Sequence, residues 1–132
     1  MILCILQGGV IMFGFKKSDE VKVKDINEGF RDYEKNPEKI VIVCVDELRV
    51  YNELHIADAS CLPLRLIDQF EEYYPEKDLI YYLYAYNGYN SRKACQKLMK
   101  KNYNVYNLGD FAKYHEYCEG EHATRKDKRR RR

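Results

Sequence analysis

Apolar residues along this chain follow two alternating rhythms. Ile40–Val45 and Ile80–Tyr84 are unbroken runs of β-branched and aromatic residues, of strand length. Such runs fit strands buried on both faces, as in a parallel sheet. Between them, apolar residues return every third or fourth position. Ile26, Phe30 and Tyr33 make one helical face. Asp25 stands where its N-cap should be, Glu28 follows three residues later, and Asn36-Pro37 ends the helix. Leu48–Leu54 predicts a short helix or turn. Leu66, Ile67, Phe70 and Tyr73-Tyr74 predict an amphipathic helix stopped by Pro75. After Ile80–Tyr84 the pattern breaks over residues 85–90 and resumes as a helix. Ser91 is its expected N-cap, and Ala94, Cys95, Leu98 and Met99 share a face. Glu20–Lys24 alternates like an edge strand, Asn104–Gly109 predicts a last strand, and Phe111–Cys118 a terminal helix. Strands alternating with crossover-length helices indicate one α/β domain around a mostly parallel sheet.

In such sheets reactive loops lie beyond the carboxyl ends of strands, which is where residues 85–90 fall. A glycine-containing turn before a helix aims backbone N–H groups at a common point and suits a small anion. Tyr86, Asn87, Gly88, Tyr89, Asn90 and Ser91 are therefore the candidate anion-binding loop.

Composition changes this picture little. The chain has 132 residues, 13 of them tyrosine, and several crowd around residues 73–89. Tyrosine is expected to serve as a half-buried packing residue, ahead of a stacking surface for bases or sugars. Charge changes it more. The last eight residues, Arg125–Arg132, carry +6 of the net +2, which leaves the rest at −4. A run of like charge without apolar partners reads as a solvated, disordered tail. Such a tail can also draw nucleic acid or anionic membrane by a salt-dependent route. The expected organisation is a lead-in over residues 1–19, a domain over 20–118 and a basic tail over 119–132. Met12 offers a second start, so residues 1–11 read as a misassigned start or an apolar lead-in, with a peripheral anchor as a third option. They lack the n-region and cleavage site of a signal peptide.

Five widely spaced cysteines with no C-x-x-C pair argue against a disulfide scaffold or a zinc ribbon. A reducing, cytoplasmic setting and no disulfide partner are expected. His115, Cys118 and His122 would supply three ligands without a second cluster, so neither a metal nor another cofactor is expected.

Four segments in order resemble the rhodanese-like family of sulfurtransferases. They are Val43-Cys44-Val45-Asp46 with Arg49, His55-Ile56-x-x-Ala59-x-x-Leu62-Pro63, Tyr84-x-x-x-Gly88-x-x-Ser91, and Asn102–Asp110. The resemblance implies a three-layer α/β fold over roughly residues 21–117. It also implies a loop cysteine that carries sulfur as a persulfide, with an arginine near the loop's end holding an anionic donor. Those two positions fall on Ala85 and Asn90. A methyl group carries no sulfur, and an amide has neither the charge nor the fork of a guanidinium. The resemblance thus implies a binding or regulatory module, a pseudoenzyme whose partner is an unidentified protein or small anion. The alternative is an active sulfurtransferase with a displaced cysteine, for which Cys61 is the candidate. Asp46, Arg49 and His55 are expected as structural frame near the loop, Asp46 and Arg49 through an ion pair or hydrogen bonds.

Overall fold

The computed structural model describes residues 20–124. The expectations for residues 1–19 and 125–132 lie outside the described residues.

The helix α1 (Ile26–Lys35) starts as its sequence dictates. The Asp25 carboxylate accepts the backbone N–H groups of Asn27 and Glu28 at 3.1 Å. Strand β1 (Ile40–Cys44) and the one-and-a-half-turn α2 (Leu48–Glu53) follow, then the two-residue strands β2 (His55–Ile56) and β3 (Ser60–Cys61). A 3-10 segment over Leu64–Gln69 leads into the single turn α3 (Phe70–Tyr73), less regular than the amphipathic helix expected there. Strand β4 (Ile80–Ala85), helix α4 (Gly88–Met99) and strand β5 (Asn104–Asp110) complete the body.

The sheet order is β3-β1-β4-β5, and all neighbours run parallel. Val23 adds a parallel bridge to Asn107 on the outer side of β5, the remnant of the expected edge strand. Both apolar runs, β1 and β4, lie inside the sheet, as their unbroken hydrophobicity predicts. Ile42, Cys44, Tyr82 and Tyr84 face one layer with Ile26 and Phe30 of α1. Val43, Tyr81, Leu83 and Ala85 face the other, with Phe70, Ala94, Cys95 and Leu98. This is an α/β fold of three layers around a parallel sheet.

Tyrosine packs here as a large apolar residue with a polar end. Tyr81, Tyr82, Tyr84 and Tyr103 are buried, and their hydroxyls find partners: Tyr81 donates to Glu76 O, Tyr82 to Asp32 Oδ2 and Tyr103 to Tyr74 O. The Tyr84 oxygen accepts the Ile56 N–H at 3.0 Å in the interior. Tyr84→Phe is expected to cost about 1–3 kcal/mol, because the buried Ile56 N–H loses its acceptor. Chemical denaturation with an unchanged m-value checks this, and a cost near zero would mean that water replaces the hydroxyl.

The terminal segment departs from its expected helix. Only Phe111–Lys113 is helical, as a 3-10 turn, and the chain then enters β6 (Cys118–Glu119), antiparallel to β2. The reason lies in Asn27 of α1. Its side chain donates to Lys113 O at 3.0 Å and accepts from His115 N–H at 2.9 Å, diverting the backbone groups that an α-helix would use. Tyr114 and Tyr117 meanwhile pack edge-on against Phe30. The chain also stays attached beyond residue 118, where the tail was expected to begin. Glu121 N–H donates to Asn52 O and His122 N–H to Glu53 O. Gly120 permits this course, since its φ is +129° and a Cβ there would lie 2.7 Å from Glu53 O.

Candidate functional site

The carboxyl ends of β1, β4 and β5 meet at the turn between Ala85 and Gly88. The sequence suggested a six-residue loop over 85–90 capped by Ser91. The structure corrects both points. Ala85 is the last residue of β4, only Tyr86 and Asn87 lie outside regular structure, and α4 begins at Gly88. Asn87 is the N-cap, and its side chain accepts Tyr89 N–H at 2.9 Å. Ser91 lies one turn inside the helix, fully buried. Its hydroxyl donates to Gly88 O and to Asn107 Oδ1 at 2.5 Å, pinning α4 to β5. Sequence could not distinguish the two caps, since Asn and Ser are nearly equal at that position.

The N–H groups at the turn are already engaged. Asp46, just past β1, accepts Tyr86 N–H at 2.8 Å. Asp110, the last residue of β5, accepts Gly88 N–H at 2.5 Å. Asp110 arrives there through a register shift after Leu83, which pairs Tyr84 with Gly109 and Ala85 with Asp110. Gly109 makes the shift with φ +87°, a conformation that a side chain would strain. Gly88 is required for a different reason, because a Cβ on it would lie 2.6 Å from Asp110 Oδ1. Two carboxylates therefore stand where an anion cradle would have its open donors. Asp110 closes the last of the resembling segments with no role expected for it at the turn; a bulge that re-aims a side chain has no signature in sequence spacing.

No protein-family model matches this chain, and no curated protein matches its sequence. Solved structures match its fold. The rhodanese-like domain protein of Staphylococcus aureus aligns with a TM-score of 0.64 at 19% identity, over 79% of this chain and 97% of that one. The rhodanese-like domain of an Anabaena protein gives 0.65 at 21% identity, over 78% and 82%. An Escherichia coli rhodanese with anions gives 0.57 at 20% identity, over 61% and 98%. This chain has the rhodanese-like fold.

Within the rhodanese-like fold the expected frame residues separate. Ala85 is 0% exposed and its methyl packs in the layer with Leu83 and Ala94. Asn90 is half-buried in the first turn of α4. Tyr86 and Tyr89 are each 58% exposed at the mouth of the turn, Tyr86 stacked on Phe111 and Tyr89 under the Lys93 ammonium. His55 is buried, stacked on Tyr51, with Nδ1 donating to Tyr51 O at 2.7 Å and Nε2 3.5 Å from Glu119. Arg49 corrects the expectation of contacts with Asp46 near the loop. Its side chain is 80% exposed and reaches only Glu53, at 3.9 Å on the same helix. Glu47 instead pairs with Arg65 at 2.9 Å.

Three of the four cysteines among the described residues are buried. Burial pushes the Cys95 thiol up to about 12, which leaves it inert. Cys61 is the one partly exposed thiol among the described residues. Its Sγ lies 3.4 Å from Asp46 O. A hydrogen bond from the Cys44 thiol holds Cys61 below the usual thiol range, against burial and the Asp46 and Glu47 charges. Cys44 is pushed far up by the same bond and by its burial. Among the described residues no group of three or more His, Cys, Asp or Glu is arranged to hold a metal ion, and no helix is long and apolar enough to cross a membrane.

Proposed function

We propose that this chain is a rhodanese-like-fold domain without sulfurtransferase activity, serving as a binding or regulatory module. One observation carries the reading: Asp46 and Asp110 engage the turn N–H groups while a buried methyl occupies position 85. Sulfur transfer needs a thiolate at the turn and donors that stabilise anionic charge. Carboxylates in contact with those donors instead repel an anion such as thiosulfate. With the small anion disfavoured, a protein partner meeting the exposed Tyr86 and Tyr89 is the better occupant, since tyrosine is enriched where proteins bind.

The competing reading gives sulfur transfer to Cys61, the partly exposed thiol. Its position argues against inheritance of the turn. Cys61 is in β3, and β1 separates β3 from β4, so it lies two strand spacings, about 10 Å, from the row of Ala85. Thiocyanate formation from thiosulfate and cyanide by the purified chain is expected to stay at background. Formation well above background that disappears in Cys61→Ala would overturn the silent reading in favour of the displaced nucleophile.

A further inference from the structure

We propose that Cys44 and Cys61 form a dithiol site that a small hydroperoxide oxidises to a disulfide, with Cys61 the attacking thiol and Cys44 the resolving one. The two residues are 17 apart in sequence but direct Cα partners on the parallel strands β1 and β3. Paired residues on neighbouring strands project to the same face about 4.8 Å apart, inside the Cα range that a disulfide spans. Both sulfurs converge on one residue. Cys44 Sγ is 3.6 Å from Asp46 Oδ2 and Cys61 Sγ is 3.4 Å from Asp46 O.

Their environments divide the roles. Cys61 is partly exposed and Cys44 is buried, so oxidant reaches Cys61 first. The neighbouring Cys44 thiol favours the Cys61 thiolate, the nucleophilic form. Asp46 and Glu47 stand beside Cys61, which disfavours anionic oxidants and leaves a small neutral peroxide as the fitting class.

The Cys61 thiolate attacks one peroxide oxygen, and the O–O bond breaks. The departing alkoxide or hydroxide takes a proton, leaving a sulfenic acid on Cys61. Oxidation removes the Cys61 thiolate that raised Cys44, and Cys44 sulfur then attacks Cys61 sulfur. The S–O bond breaks, and hydroxide leaves with the Cys44 proton as water. Two thiols are oxidised and one peroxide is reduced, an organic hydroperoxide to an alcohol and water and hydrogen peroxide to two waters. Drawing the two Cβ atoms to disulfide distance requires about 1 Å of approach. Because β3 is a two-residue strand at the edge of the sheet, it can give that movement without disturbing β4.

The test uses the full chain with all five cysteines. It is treated with equimolar hydrogen peroxide, denatured in alkylating reagent and digested without reductant. The expected product is about 2 Da lighter, with Cys44 and Cys61 peptides linked and released by dithiothreitol, while Cys95 and Cys118 remain alkylatable. In Cys44→Ser or Cys44→Ala, Cys61 should stop at a sulfenic acid that dimedone captures. Wild-type Cys61 that remains a free thiol while other cysteines oxidise would overturn the proposal. So would Cys61 advancing to sulfinic acid, or linking to Cys4, without a bond to Cys44. The wild-type mapping decides the matter even if a variant fails to fold.

Discussion

Phe70→Ala is expected to lower the stability of the domain by about 3–5 kcal/mol, the range for truncating a fully buried aromatic side chain. Phe70 is 0% exposed. Its ring meets Tyr81 and Tyr103 edge-on at 5.2 and 4.9 Å and lies 4.6 Å from Tyr74. Tyr81 belongs to a central strand, Tyr103 precedes β5, and Tyr74 follows α3. One ring thus joins the sheet to the short helical segment covering it. Alanine would leave a cavity walled by three rigid rings whose hydroxyls are tied to backbone or Ser60. Collapse around it is therefore poor, and the cost falls toward the upper end. A domain of this size loses roughly 4–8 °C of melting temperature per kcal/mol, so a fall of at least roughly 12 °C is expected. Tyr73→Ala is the control. That side chain is 55% exposed on the same helical turn, and its loss should be within about 0.5 kcal/mol of neutral. Equal effects at the two positions would mean that α3 is held by helix propensity and not by Phe70.

The fold was legible where burial imposes a pattern. β1 and β4 were readable as interior parallel strands because only a strand covered on both faces tolerates Ile40–Val45 or Ile80–Tyr84. α1 was readable because Asp25 and the Asn36-Pro37 stop act within a few residues of the helix they bound. Phe111–Cys118 has the same apolar spacing as a helix, yet beyond Lys113 it is not helical. What decides it is Asn27, more than eighty residues earlier, which takes the Lys113 and His115 backbone groups. Propensity summed over a window cannot register so distant a competitor.

The candidate site divides in the same way. The break in the apolar run after Tyr84 located a turn beyond β4, two residues long where six were expected, and the sequence has alanine at position 85. Its electrostatic character was not legible. Gly88 suggested open donors, whereas its real requirement is space for the Asp110 carboxylate, delivered by a bulge at Gly109. The resemblance implied that Asp46 and Arg49 would meet near the loop. On the short helix α2, Arg49 points along the surface to Glu53 while Asp46 turns back to the sheet. The Cys44–Cys61 pairing was hidden for a related reason. Register between parallel strands depends on the connection between them, and sequence spacing does not report it.

Removing the two carboxylates should reverse the response of the turn to anions. In the native chain, thiosulfate is expected to raise the melting temperature no more than chloride at matched ionic strength. Its approach to the Tyr86 and Gly88 N–H groups is opposed by Asp46 and Asp110, which already accept from them. Asp46→Ala with Asp110→Ala frees both donors beside the N-terminus of the twelve-residue α4. The first effect is a loss of about 1.5–3 kcal/mol per aspartate, the usual worth of a hydrogen bond to a charged group. The second is that thiosulfate becomes a stabilising ligand, because freed N–H groups and the helix dipole favour negative charge there. Ligand at 100 times its dissociation constant would return about 2.7 kcal/mol, and the gain should saturate. The Asn pair, Asp46→Asn with Asp110→Asn, separates charge from geometry: its amide oxygens still accept the N–H bonds, so it should bind thiosulfate more weakly than the Ala pair. Saturable stabilisation of the native chain by thiosulfate would show the donors open after all. An Ala pair that melts lower and ignores thiosulfate would show that the two N–H groups do not converge on a single anion.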